Sequence, residues 1–109
     1  MLQVGPDGIL RVIAGNGNFG ILTDGQGATQ TPLGFPYAVV AGEGGRILFT
    51  DSVCACVATL FAGGTLRSVA GNGRFGRVSD GVSSLRAFFF APRGLAIDRN
   101  GNLIVASSD

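Results

Sequence analysis

The sequence predicts an all-β fold assembled from four-stranded antiparallel meanders, with about two such units in the chain. Three observations carry this reading. A nine-residue phrase occurs twice, as Val12-Ile13-Ala14-Gly15-Asn16-Gly17-Asn18-Phe19-Gly20 and as Ser68-Val69-Ala70-Gly71-Asn72-Gly73-Arg74-Phe75-Gly76, 56 residues apart. The offset holds beyond the phrase: Leu10-Arg11 returns as Leu66-Arg67, Asp24-Gly25 as Asp80-Gly81, Pro36 as Pro92 and Gly45 as Gly101, while Val39, Ile47 and Leu48 return as Leu95, Leu103 and Ile104. A fixed period of this size marks stacked or toroidal repeats. Secondly, the 19 glycines follow no collagen-like period and punctuate short apolar runs, the pattern of many turns between short strands. Thirdly, 46% of residues are hydrophobic and 14% charged, a balance that permits a buried core and opposes disorder.

Taken in order, Leu2-Gln3-Val4 reads as a short extended piece stopped by the turn Gly5-Pro6-Asp7-Gly8, and Ile9–Ala14 as the strand that returns beside it. Residues 15–36 are too long for an ordinary connection; Ala28–Leu33 has room for one helical turn. Tyr37–Ala41 is a strand, Gly42-Glu43-Gly44-Gly45 a turn, and Arg46–Asp51 a second strand. Cys54–Phe61 is a third and Thr65–Ala70 a fourth, joined through Ala62-Gly63-Gly64. A second long loop, 71–92, carries Ser83-Ser84-Leu85-Arg86-Ala87-Phe88, a one-turn helix with Ser83 or Ser84 as N-cap. Gly94–Asp98 and Asn102–Ala106 pair through Arg99-Asn100-Gly101, a hairpin turn of the Asn-Gly kind. With strands lettered a to d within a unit, the chain reads c-d over 1–14, a complete a-b-c-d over 37–70, and a-b over 93–109. Four-stranded meanders joined by long links describe the blades of a β-propeller.

Net charge is +1, from eight arginines and no lysine, too little to predict nucleic-acid or membrane binding from electrostatics. Met1-Leu2-Gln3-Val4-Gly5 has neither the basic start nor the apolar core of a signal peptide, and no apolar run approaches the roughly 20 residues that span a bilayer; the compartment stays open. Histidine is absent, which removes the commonest general base, the commonest metal ligand and any Ser-His-Asp or Cys-His arrangement. On a strand, Cys54 and Cys56 point to one face. A disulfide so close in sequence is strained, and two thiols fall short of the four ligands zinc takes. The expectation is two small buried hydrophobes.

Both copies of the phrase fit the dinucleotide-binding spacing G-x-G-x-x-G. That chemistry needs a helix N-terminus behind the glycines, whereas Ile21-Leu22-Thr23-Asp24-Gly25 follows the first copy with no amphipathic helix; a tight glycine turn leaving strand d is the reading. Asp24-Gly25 and Asp80-Gly81 supply one acid per repeat, far from the six to eight oxygens of a calcium site, and read as turns. Asp51 and Asp98 end strands and are expected to bind nearby backbone. Phe88-Phe89-Phe90 reads as packing between blades. Arg74, Arg77, Arg86 and Arg93 cluster around the second long loop. In a meander the d-to-a and b-to-c links lie at one end, so Asn72, Arg74, Phe75 and Arg77 are expected to share a face with Ser52–Ala55. An Arg-and-aromatic loop of this kind is a candidate contact surface.

At the glycine phrase and the Pro-x-Gly strand the chain resembles the NHL-repeat family of β-propellers. The resemblance rests on Ser68-Val69-Ala70-Gly71-Asn72-Gly73, Asp80-Gly81, Ala87-Phe88, Pro92-Arg93-Gly94-Leu95-Ala96-Ile97-Asp98 and Gly101-Asn102-Leu103-Ile104-Val105-Ala106. The first copy is looser, with Tyr37-Ala38-Val39 where Gly is usual. After the Ala-Asp strand the family continues Asn-x-x-Arg-Ile-Arg; this chain has Asp51-Ser52-Val53-Cys54-Ala55-Cys56-Val57-Ala58, so no role for that arginine carries over. The third strand is apolar on both faces instead, which suits a sheet covered on both sides or a patch that needs a partner. The resemblance implies a non-catalytic protein-binding or RNA-binding platform, protein being favoured by the low charge. It also implies, as a rival, the metal-dependent lyases and hydrolases among related propellers, whose ligands are typically histidines. No cofactor or metal is expected. Two blades leave apolar flanks in water, so the expected partners include further blades, from the same chain or from copies pairing head to tail; three copies make six blades in a ring.

Overall fold

The structure, a computed structural model, describes residues 1–77 and 80–108. Positions 78–79 of the second loop and Asp109 at the end of the last predicted unit lie outside the described residues. The described strands are β1 (Leu2–Val4), β2 (Leu10–Val12), β3 (Pro36–Ala41), β4 (Ile47–Asp51), β5 (Cys56–Leu60), β6 (Leu66–Ala70), β7 (Pro92–Ile97) and β8 (Leu103–Ser107). They form one four-stranded sheet in the order β3-β4-β5-β6 and two two-stranded sheets, β1-β2 and β7-β8. Every named pairing is antiparallel. The protein is all-β, with no α-helix among the described residues.

Glycine and Asx chemistry sets the turns. Asp98 ends the β7 pairing and its Oδ1 accepts from the backbone N–H groups of Asn100 (2.9 Å) and Asn102 (2.8 Å), while Asn102 Nδ2 donates to Oδ2. These bonds hold its carboxyl below the ordinary value of 3.8, the Asn102 side chain being the largest cause and the Asn102 N–H the next. A depressed folded pKa gives stability that is present above the ordinary carboxylate range and lost as pH falls through the lowered value. An NMR titration is expected to place the Asp98 midpoint below 3.8, and Asn102→Ala to move it back up.

The central sheet is covered on both faces, and the composition of β5 is the reason. All five of its residues are buried. Cys56, Ala58 and Leu60 join Phe49 and Leu66 in one core, against which Met1 and Ile13 of the first unit pack. Val57 joins Ala55, Ala70 and Phe89 in the other, with Leu95, Leu103 and Val105 of the last unit. A strand with small apolar residues on both faces is what a sheet sandwiched between two others requires. Of the three consecutive phenylalanines, Phe89 is buried, whereas Phe88 and Phe90 are substantially exposed.

The repeat is written into the hydrogen bonds as well as the letters. Gly15 N–H donates to Ala28 O and Gly71 N–H to Ser84 O, both at 2.8 Å. Gly5 to Ile9 recurs as Phe61 to Thr65, Gly8 to Gly5 as Gly64 to Phe61, and Gly42 to Arg46 as Asp98 to Asn102. The long loop after β2 is ordered by the outer edge of β6: Gly25 N–H donates to Leu66 O, Leu66 N–H to Gln26 O and Ala28 N–H to Gly64 O. Asp24 Oδ1 accepts from Ser68 N–H at 2.8 Å. The loop therefore shields a strand edge that would otherwise carry unpaired backbone groups.

Three local expectations change. Ala28–Leu33 makes a single turn, closed by Gln30 N–H on Gly27 O, and not a helix. Ser84–Arg86 is a 3₁₀ turn whose preceding Ser83 makes no side-chain cap bond. Cys54 and Cys56 are not two free buried thiols but a disulfide, with Cα atoms 5.2 Å apart. The strand starts only at Cys56; Ser52–Ala55 is a turn in which Ala55 takes φ of 50°. That left-handed residue brings the flanking Cα atoms within the ordinary range for a disulfide.

Candidate functional site

The loop residues singled out from sequence lie at the end of the central sheet where β4 finishes and β3 begins, since Pro36 pairs with Asp51. Asp51 organises this end. Its side chain is 1% exposed and accepts three backbone N–H bonds: Oδ2 from Gly34 (2.8 Å), Oδ1 from Phe35 (3.1 Å) and from Val53 (2.9 Å). One carboxylate thus ties the end of the first long loop to the β4–β5 turn. The equivalent in the last unit is Ser107, whose hydroxyl accepts from Phe90 N–H at 3.3 Å.

The second glycine phrase is seated directly on that turn. Gly71 has φ of 91°, and a Cβ there would strike the Ala55 carbonyl oxygen and come within 2.8 Å of Cys56 Cα. Only glycine combines that backbone conformation with so close an approach. Asn72 then fixes the course of the loop: its N–H donates to Ala87 O at 2.9 Å, its Nδ2 to Arg86 O at 3.4 Å, and its Oδ1 accepts from Arg74 N–H at 2.9 Å. The first copy does the same with Asn16 and Asn18 N–H at 3.0 Å. Of the four candidate binding residues, Asn72 is therefore engaged in shaping the loop. Arg74, Phe75 and Arg77 are exposed, with 59% of Phe75 open to solvent.

A further pair stands at the same end. Arg93 and Tyr37 occupy equivalent positions in successive repeats. The guanidinium lies 4.9 Å from the Tyr37 ring centroid, and Nη1 donates to the phenol oxygen at 3.1 Å. Thr50 links the two sheets beside them, its hydroxyl donating to Arg93 O at 3.1 Å and accepting from Ala38 N–H at 3.0 Å. Sequence reasoning placed Arg93 with the loop arginines and gave Tyr37 no role. The signal available was the period itself, because stacked repeats bring equivalent positions near one another.

A recess of about 450 Å³ opens between the first long loop and the glycine phrase, lined by Leu22, Asp24, Cys54, Cys56, Asn72 and Leu85 among others. Within it, Asp24 binds Ser68 N–H, Asn72 shapes its own loop, and the cysteines are paired. No group of three or more His, Cys, Asp or Glu positioned for a metal occurs among the described residues.

No family model matches the chain, and no curated protein matches it. Its fold is similar to that of a solved Bacteroides thetaiotaomicron protein described as a structural genomics protein of unknown function. The TM-score is 0.83 and the identity 21%, over 98% of this chain and 27% of that protein. This chain thus spans about a quarter of the length of the protein it resembles, and at this identity the likeness is one of fold.

Proposed function

We propose that the chain forms two blades' worth of an NHL-type β-propeller and acts as a non-catalytic interaction module, binding a protein through the loop that follows β6. The observation that carries this reading is the pairing of a fixed loop base with an open tip. Gly71 is seated on the β4–β5 turn and Asn72 is bonded to Arg86, Ala87 and Arg74 within its own loop, while Arg74, Phe75 and Arg77 face solvent. An exposed aromatic flanked by arginines on a preorganised loop is the side-chain mixture enriched where interfaces concentrate their energy, and preorganisation lowers the entropy lost on binding.

The test is capture and affinity measurement with the wild-type chain and with Arg74→Ala/Phe75→Ala/Arg77→Ala. The triple variant is expected to retain its circular dichroism and melting temperature and to lose a protein partner by about 100-fold or more in affinity, the equivalent of at least one interface hot spot. An unchanged partner affinity overturns the reading. Binding to RNA that collapses steeply with added salt and vanishes in the same variant replaces the protein reading with a nucleic-acid one.

A further inference from the structure

We infer that the Cys54–Cys56 bridge is a redox latch: a small dithiol opens it to two thiols while the fold persists, and opening it loosens the glycine phrase at Gly71. The inference concerns how the loop after β6 is held and does not rest on what that loop binds. A cross-link stabilises a chain chiefly by closing loops in its unfolded state, and long loops gain most. Residues two apart in sequence enclose almost no loop. The bridge therefore adds little to global stability, and its loss leaves the fold standing.

The surroundings suit both states of the pair. Cys54 and Cys56 lie in the core that holds Ala14, Leu22 and Leu33, where a free thiol packs as a small hydrophobe. Cys54 Sγ is 3.4 Å from the Asp51 carbonyl oxygen, which accepts from the S–H once the bridge opens. What the bridge fastens is Ala55. Among the described residues it is the one non-glycine with positive φ, at 50°, a conformation that any side chain with a Cβ disfavours. Its carbonyl oxygen and Cys56 Cα are the atoms that a Cβ on Gly71 would strike first, followed by the Phe89 ring, and Ala55 packs with Phe89 in the second core. Opening the bridge removes one of the restraints on Ala55, and with it the firmness of the seat under Gly71.

A reagent reaches the sulfurs through the recess between the first long loop and the glycine phrase. Both cysteines are buried, yet both line this space of about 450 Å³, which admits a small dithiol. Its thiolate attacks one sulfur and the S–S bond breaks. A mixed disulfide forms, and the other cysteine leaves as a thiolate that takes up a proton. The reagent's second thiol loses its proton and attacks its own sulfur in the mixed disulfide, releasing the first cysteine. The dithiol departs as a cyclic disulfide, having passed two electrons to the protein.

The experiment equilibrates the full chain, without denaturant, in mixtures of reduced and oxidised dithiothreitol, followed by alkylation, mass measurement and amide hydrogen exchange. Both cysteines are expected to become alkylated together as the mixture grows more reducing, with circular dichroism unchanged. In the reduced form the amides of Gly71 and Asn72, which donate to Ser84 O and Ala87 O, are expected to exchange about tenfold faster or more, while those of β7 and β8 keep their rates. Cys54→Ala/Cys56→Ala is expected to show the fast exchange in every mixture. Ala55→Gly, which removes the left-handed penalty carried by the bridged form, is expected to shift the equilibrium about tenfold towards the disulfide. Thiols that appear only in denaturant, loop amides with one rate in both states, or an Ala55→Gly equilibrium equal to wild type overturns the inference.

Discussion

Asp51→Ala is expected to lower the stability of the chain by about 3 kcal/mol, because three part-buried N–H groups lose their acceptor at about 1 kcal/mol or more each. The carboxylate itself is 1% exposed and receives Gly34, Phe35 and Val53, so truncation also leaves a void that water fills poorly. A domain of this size has a net stability of roughly 5–15 kcal/mol, and the loss corresponds to a fall in melting temperature of roughly 12–20 °C. Asp51→Asn retains one acceptor oxygen and turns an amide towards a backbone donor; about half the loss is expected. Thermal and urea unfolding of the three proteins gives the comparison, and an alanine variant within about 2–4 °C of wild type, the scatter of a neutral surface change, contradicts the assigned role. The same variant is expected to loosen the base of the candidate binding loop, since the β4–β5 turn on which Gly71 rests is one of the segments Asp51 holds.

Gly71→Ala is the second large effect. The added methyl meets the Ala55 carbonyl and Cys56 Cα, which are backbone atoms of the turn and of β5, and its third neighbour is the ring of Phe89 at 3.1 Å. Relief requires the glycine phrase to lift off the sheet end or β5 to shift within two cores. The positive φ adds roughly 1–2 kcal/mol by itself, and the collision raises the total to about 3–4 kcal/mol, within the range of overpacking and strain. Gly73, which also has positive φ but whose Cβ would have open space to 4.0 Å from Cys54 O, is the control: Gly73→Ala is expected to cost only the conformational part. Equal losses at the two positions contradict the seating of the phrase on the turn.

Strand placement was legible because Gly and Asn turns interrupt apolar runs, and every predicted strand appears with its ends displaced by two residues at most. The sandwiching of β5 was one of two outcomes its largely apolar composition allowed, the other being a patch that needs a partner; burial of all five residues decides between them. The disulfide was not, because the i, i+2 spacing was judged on extended geometry, and the left-handed Ala55 that shortens it follows from the seating of the turn. The Arg93–Tyr37 stack was hidden for a different reason: it joins two sheets rather than two neighbours in sequence. At the candidate site, the shared end of loop and turn followed from meander topology. Sequence alone did not distinguish Asn72, whose amide is spent on Arg86 O and Arg74 N–H, from the exposed Arg74, Phe75 and Arg77.

The central claim is that one complete sheet is flanked by two halves, so that stability is distributed unevenly along a chain whose letters repeat. Site-resolved amide hydrogen exchange tests it directly. The account predicts that the amides of β5, buried on both faces, exchange only through global unfolding. Those of β1 and β8, which belong to two-stranded sheets among the described residues, exchange far faster. Equal protection of β1, β5 and β8 would contradict it.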